Sequence, residues 1–166
     1  MFYVFPNPSA VRLIRFVGFV FGASVVLSSF TLRAQRRTVS AINESQPTFT
    51  EFKGVRIGMP AEEARKKLGS PRDKGDDQDF YVFNDTQAVQ VYYDAGKAVT
   101  AISIDYMEGA SGVPTCKDVL GTEADSKPDG SLYKMMRYPK AGYWVSYSRT
   151  AGNSPTVTIT MQKIVR

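Results

Sequence analysis

Hydrophobic and polar positions alternate with the period of a β-strand through most of the chain after residue 75. The segments with this pattern are 79–84, 88–94 and 98–106, and then 132–138, 142–149 and 156–164. In the last of them Val157, Ile159 and Met161 alternate with threonines, which predicts one buried and one polar face. The turn from Asp94 to Lys97, with Gly96 at positive φ, predicts a tight antiparallel hairpin.

A short amphipathic helix is predicted before each group of three strands. The first begins after Pro60, whose missing N–H costs nothing in a first helical turn, and it ends at Gly69. Its core face carries Ile57, Ala61, Ala64 and Leu68. The second helix, over 113–120, is shorter and ends at Gly121.

The two groups of elements are related by a constant offset of 52 residues. The matching residues are Leu68, Gly69 and Tyr81 in the first group and Leu120, Gly121 and Tyr133 in the second. A fixed period is typical of a duplicated unit. The predicted fold is therefore α+β, with two tandem helix-then-three-strand repeats, over 52–107 and 112–166. The repeats are expected to form one antiparallel sheet of about six strands with the helices on one face.

Residues 1–34 have the composition of a secretory signal peptide. Arg12 and Arg15 precede an apolar run over 16–27, and Ala34 is the best cleavage site. The alternative is an uncleaved N-terminal anchor, although a membrane-spanning helix needs roughly 20 apolar residues. Residues 35–51 are predicted to be a flexible tether and 52–166 the folded domain. Whether this leader is cleaved or retained, the domain is expected to be exported, to the periplasm or cell envelope or as a secreted protein.

The composition excludes several classes of function. The leader contains three of the 21 basic residues and none of the 16 acidic ones, so the remaining net charge is only about +2 and no nucleic acid is expected as partner. There is no histidine, which excludes His-dependent catalysis and most zinc sites. The only cysteine, Cys116, is predicted to be a small buried side chain, because no base lies beside it. We therefore predict no enzyme and no cofactor.

A run of four aspartates could be read as a calcium site, because Ca²⁺ prefers clustered carboxylate oxygens. The run comprises Asp73, Asp76, Asp77 and Asp79. Its spacing does not match an EF-hand loop, and Arg72 and Lys74 lie among the acids. We predict a solvated loop and no metal site.

The sheet face that points away from the core is the candidate binding surface. If Val89, Val91, Tyr93, Val145, Tyr147, Val157 and Ile159 point inward, the outward residues are Trp144, Tyr92, Gln90, Ser146, Thr158 and Thr160. Trp144 is the only tryptophan, and tryptophan and tyrosine are enriched among interface hot spots. The sequence therefore predicts that these six residues contact a partner. The alternative is that Trp144 packs against the tether or a loop of its own chain.

The segment from Val55 to Pro71 resembles the opening motif of the BamE (SmpA/OmlA) family of small outer-membrane assembly lipoproteins. The matching positions are Gly58, Met59, Ala64, Leu68, Gly69 and Pro71. The tandem arrangement is similar to the β-lactamase inhibitor protein fold, in which two such modules join into one sheet that grips a partner.

This resemblance implies an exported, non-enzymatic protein-binding module, an accessory protein of the cell envelope of the outer-membrane assembly type. Its partner would be another protein of the envelope or extracellular space, and it would meet a membrane only through an uncleaved leader. The alternative is an inhibitor-like protein that binds an extracellular hydrolase through its sheet face.

Overall fold

The structure is a computed structural model that describes residues 46–165. The helices are α1 (Ala61–Leu68) and α2 (Cys116–Leu120), and the strands are β1 (Asp73–Lys74), β2 (Gln78–Asn84), β3 (Gln87–Tyr93), β4 (Val99–Tyr106), β5 (Asp125–Ser126), β6 (Leu132–Tyr138), β7 (Tyr143–Arg149) and β8 (Val157–Lys163). All strands pair antiparallel in the order β1-β2-β3-β4-β8-β7-β6-β5. The predicted leader, 1–34, and the tether up to residue 45 lie outside the described residues.

The predicted fold class is wrong. The described chain forms a single sheet of eight strands, not two helix-then-three-strand repeats that share about six. Helix is limited to segments of eight and five residues, so the fold is mostly β. The prediction missed β1 and β5 because each is only two residues long and lies in a polar stretch with no alternation to detect.

The offset of 52 residues also fails within the strands. Tyr81 is 2% exposed, whereas Tyr133 is 41% exposed. The register explains the difference, because Asp73 pairs with Phe80 in the first half of the sheet and Asp125 pairs with Tyr133 in the second. Tyr133 therefore corresponds to Phe80, one residue from the expected position, and a slip of one residue moves a side chain to the opposite face.

The core lies between the helices and one face of the sheet. Its centre is the junction of β4 and β8, where Ile102 pairs with Met161 and Ile104 with Ile159, all fully buried. The seven residues predicted to point inward are all buried, as are Ala61, Ala64 and Leu68 of α1 and Cys116, Val119 and Leu120 of α2. The prediction that Cys116 is a buried core residue is confirmed, and burial raises the pKa of its thiol.

The ends of the two helices are fixed in different ways. The cap residue of α1, Pro60, forms no side-chain hydrogen bond, and the Ala61 N–H donates to the carbonyl of Lys97 instead. In α2 the Thr115 side chain accepts from the Asp118 N–H and the Asp118 carboxylate accepts from the Thr115 N–H, so this helix begins later than predicted.

The turn between β3 and β4 differs from the prediction. Its positive φ is at Lys97, at 59°, and not at Gly96. The Asp94 carboxylate accepts hydrogen bonds from the N–H groups of Gly96 and Ala98, which organises the turn without a glycine in the left-handed conformation.

The chain enters the domain on the helix side of the sheet. Phe49 packs against the core, and its carbonyl accepts a hydrogen bond from the Tyr143 hydroxyl at 3.4 Å. Ordered packing thus includes residues that the sequence assigned to the tether. Among residues 46–165, neither helix has the length and apolarity that crossing a bilayer requires.

Candidate protein-binding face

The side of the sheet opposite the helices, called the open face below, is built from three rows of side chains that the strand register places next to each other. From β2 to β6 the rows are Gln78, Tyr92, Ala101, Gln162, Trp144 and Arg137; then Phe80, Gln90, Ser103, Thr160, Ser146 and Met135; then Val82, Ala88, Asp105, Thr158, Ser148 and Tyr133. All six residues predicted to contact a partner lie on this face, and all are partly exposed.

Short hydroxyl side chains are concentrated in the middle of the second and third rows of the open face and form the hydroxyl strip. Ser103 and Thr160 are joined by a hydrogen bond of 3.2 Å between their hydroxyls. The Thr158 hydroxyl donates to the Asp105 carboxylate at 2.6 Å, and the Ser148 hydroxyl donates to the carbonyl of Thr158 at 3.5 Å. Each hydroxyl can also accept hydrogen bonds, so the strip retains capacity for an outside partner.

Two larger side chains stand in the row beside the hydroxyl strip. Tyr92 stands on one side, and its hydroxyl donates to the Gln90 amide oxygen at 2.7 Å. Trp144 stands on the other side in the same row, three strand spacings away, or roughly 14 Å. Small and medium side chains separate these two aromatic residues, so the open face has a low centre with raised sides.

The low centre forms a measurable depression beside Tyr92. Its volume is about 460 Å³, and its lining includes Ala101, Ser103, Thr160 and Gln162. The most exposed apolar side chains of the open face stand toward its two edges: Val82 at 40%, Tyr133 at 41% and Met135 at 42%.

The three rows of the open face carry little charge. Among their side chains only Asp105 and Arg137 are ionisable, and Asp105 already accepts the hydrogen bond from Thr158. Charged groups stand around the rows: Asp77 lines the depression beside Tyr92, and the Lys127 ammonium lies 5.3 Å from the ring centre of Tyr133. Protein interfaces are depleted of charge at their centres and enriched in tryptophan, tyrosine and methionine. Trp144, Tyr92 and Met135 give the open face this composition.

A second polar cluster lies on the helix side of the sheet and was missed by the sequence analysis. Asp79, predicted to lie in a solvated loop, is fully buried in β2. Its carboxylate accepts two hydrogen bonds from Arg65 of α1, at 2.7 Å from Nε and 3.0 Å from Nη2, and one from the Tyr93 hydroxyl at 2.7 Å. The strand alternation could have revealed this burial, because Asp79 and the buried Tyr81 lie two residues apart in one strand and therefore on the same face.

The hydrogen bonds of this cluster control its ionisation. Burial opposes the charged form of Asp79, but the bonds from Arg65 and Tyr93 outweigh it and hold the pKa of Asp79 below its usual value. Burial and the neighbouring carboxylate raise the pKa of Tyr81 to about 12 and that of Tyr93 further. The cluster therefore ties α1 to β2 as a charged pair.

Hydrogen bonding within this cluster is complete. Within residues 46–165, every buried side-chain nitrogen and oxygen has a hydrogen-bond partner. The same part of the chain contains no group of three acidic or thiol side chains placed to hold a metal ion. The cluster's polar groups are thus engaged with each other and serve the fold.

The open face differs from the buried cluster in what it can offer to another molecule. Its hydroxyl, amide and aromatic groups reach solvent, and together they suit recognition of a protein surface. No protein-family model, curated protein or solved structure matches the chain.

Proposed function

We propose that this chain is an exported, non-enzymatic protein-binding module that binds another protein through the open face of its sheet. The observation that carries this proposal is the composition of that face. Trp144 and Tyr92 stand in one row with Ala101 and Gln162 between them, and hydroxyl side chains occupy most of the centre of the next two rows. This is the pattern of an interface with aromatic anchors and a polar, hydrogen-bonding centre.

The contrast between the two faces supports the proposal. The helix-side face is covered by α1 and α2, whose apolar residues share one core with the inward residues of the strands. The open face has no such cover within the described part of the chain. Exposed contiguous apolar groups such as Tyr133 and Met135 are typical of interaction sites.

The location and type of partner follow from the leader and the motif. The leader over 1–34 supports export, and the resemblance of the segment from Gly58 to Pro71 to the BamE family supports a role in the cell envelope. The partner is then another protein of the envelope or extracellular space. If it is an extracellular hydrolase, the inhibitor-like alternative is the better description.

Site-specific photo-crosslinking tests this proposal. A photoreactive residue is placed at Ser146, in the centre of the open face, and in a second variant at Lys66, which is exposed on α1. We expect a defined protein adduct from Ser146 and none of the same mass from Lys66. Equal adducts from both positions, or adducts from Lys66 alone, would refute binding through the open face.

A further inference from the structure

The outer edge of β6 is paired over only part of its length. The two-residue strand β5 covers Leu132 and Tyr133, and no other described segment pairs with that side of β6. The Ser131 carbonyl accepts from the Lys127 N–H across this edge at 2.8 Å. Because successive residues of an antiparallel strand direct their backbone groups to opposite sides, Met135 and Arg137 share the outward direction of Ser131.

The backbone groups of Met135 and Arg137 therefore lie open at this edge. Neither residue forms a backbone hydrogen bond outside its strand within the described part of the chain. At the opposite edge of the sheet, Phe52 packs on Phe83 of β2 with ring centres 6.0 Å apart and Lys53 lies over the same ring. An unprotected strand edge is a template for an additional strand.

The side chains beside the open edge favour an extended peptide. Met135 and Arg137 project to the open face, where Met135 pairs with Ser146 and Arg137 with Trp144. A strand added here would place its own side chains next to these residues. The edge is also continuous with the open face, so one partner could use both.

Charge indicates the composition of that peptide. The part of β6 beyond β5, residues 134–138, carries two basic side chains, Lys134 and Arg137, and no acidic one. Lys134 is paired with Asp125 at 3.1 Å, whereas Arg137 is exposed and forms no ion pair within the described residues. Self-association through β6 would leave Arg137 without an acidic partner, because residues 134–138 contain no acidic side chain.

We propose that an extended, acidic segment of the partner protein adds to the outer edge of β6 as a further antiparallel strand. Its backbone pairs with the N–H and C=O groups of Met135 and Arg137, and its carboxylates lie beside Arg137. This proposal rests on the proposed function, because it names the chemistry of the segment that the protein partner would supply.

Amide exchange with defined peptides tests the proposal on the whole domain. The probe is a heptapeptide in which glutamate and valine alternate, and its control has lysine in place of glutamate. We expect the glutamate peptide to slow exchange of the Met135 and Arg137 amides and the lysine peptide to leave them unchanged. Equal binding of the two peptides, protection confined to other strands, or no binding by the glutamate peptide would overturn the proposal.

Substitutions at the edge separate backbone pairing from side-chain contact. Met135→Pro removes an outward N–H without removing a hydrogen bond to β7, and we expect it to lower the affinity for the glutamate peptide at least tenfold. Met135→Ala keeps that N–H, and its affinity for the glutamate peptide should stay within about threefold of that of the unmodified protein. Arg137→Glu should lower the affinity for the glutamate peptide about fivefold and raise the affinity for the lysine peptide.

The outcomes distinguish this proposal from the one on which it rests. If Met135→Pro fails to fold, amide protection in the unmodified protein still decides the question. The Ser146 adduct can persist while the glutamate peptide fails to protect the edge amides and the edge substitutions leave its affinity unchanged. In that case strand addition is wrong and binding through the open face stands. If the Ser146 adduct is absent, the proposed function itself fails.

Discussion

The first and second halves of the sheet hold their helices in place by different chemistry. In the first half Arg65 of α1 reaches the fully buried carboxylate of Asp79, and the Tyr93 hydroxyl completes the cluster. In the second half α2 has only five residues and is organised by its own capping box at Thr115. Both helices pack on the core, but the polar contacts of the first reach across the chain to the sheet, whereas those of the second lie within its own first turn.

The two halves also differ at the outer edges of the sheet. The edge strand β2 pairs with β1 at one end, and near its other end Phe52 and Lys53 contact the ring of Phe83. The edge strand β6 is covered by β5 at one end. Beyond β5, the outward backbone groups of Met135 and Arg137 have no partner within the described residues. Trp144 lies on the adjacent strand.

This difference suggests a division of labour within one sheet. Buried ion pairs and protected edges restrict a structure, whereas open edges and exposed aromatic side chains make it available to partners. We therefore expect substitutions in the first half to affect mainly the free energy of unfolding. Substitutions around Trp144 and Arg137 should affect mainly binding.

The largest effect on stability is expected from Asp79→Ala. It leaves the Arg65 guanidinium without its main partner in a mostly buried position, and the free energy of unfolding should fall by about 3 kcal/mol. Urea denaturation measures this change. The matched control is Asp125→Ala in the second half, whose exposed pair with Lys134 should contribute less than about 0.5 kcal/mol. Similar losses in both variants would contradict the contrast between the halves.

The pH dependence of unfolding sharpens the same comparison. The folded pKa of Asp79 lies below the value of about 3.9 in an unfolded chain, so its ionisation stabilises the fold fully above that value. This contribution is lost as the pH falls toward the folded pKa. Urea titrations between roughly pH 5 and 2 should show a steeper loss for the unmodified protein than for Asp79→Asn. Parallel curves would exclude Asp79 as a source of acid sensitivity.

A smaller loss is expected from Thr115→Ala in the second half. The substitution removes the side chain that accepts the Asp118 N–H, and loss of such a cap typically costs about 1 kcal/mol. Thr115→Ser retains the hydroxyl and should remain close to the unmodified protein. Thermal unfolding of both variants checks this, and an Asp79-sized loss from Thr115→Ala would show that the capping box stabilises the fold as much as the buried ion pair does.

Local alternation made the long strands predictable. Each of the six predicted strands matches an observed one within one residue at either end, because strands such as β8 have one apolar and one polar face. The same alternation placed Trp144, Tyr92 and the four polar residues on one face. Their role in binding stays a prediction.

Features that depend on neighbouring strands were not predictable. The short strands β1 and β5 exist only because β2 and β6 pair with them. Burial of Asp79 depends on Arg65 reaching it from another element, and the exposure of Tyr133 depends on a register one residue away from the apparent repeat. The open edge at Met135 likewise follows from the strand order and has no signature of its own in the sequence.

The most direct test of the account measures how tightly the Trp144→Ala variant binds the protein that was crosslinked at Ser146. We predict that the dissociation constant rises roughly thirtyfold, as for loss of an interface hot spot of about 2 kcal/mol, while the free energy of unfolding changes little. An unchanged dissociation constant would contradict the claim that this protein binds through the open face of its sheet.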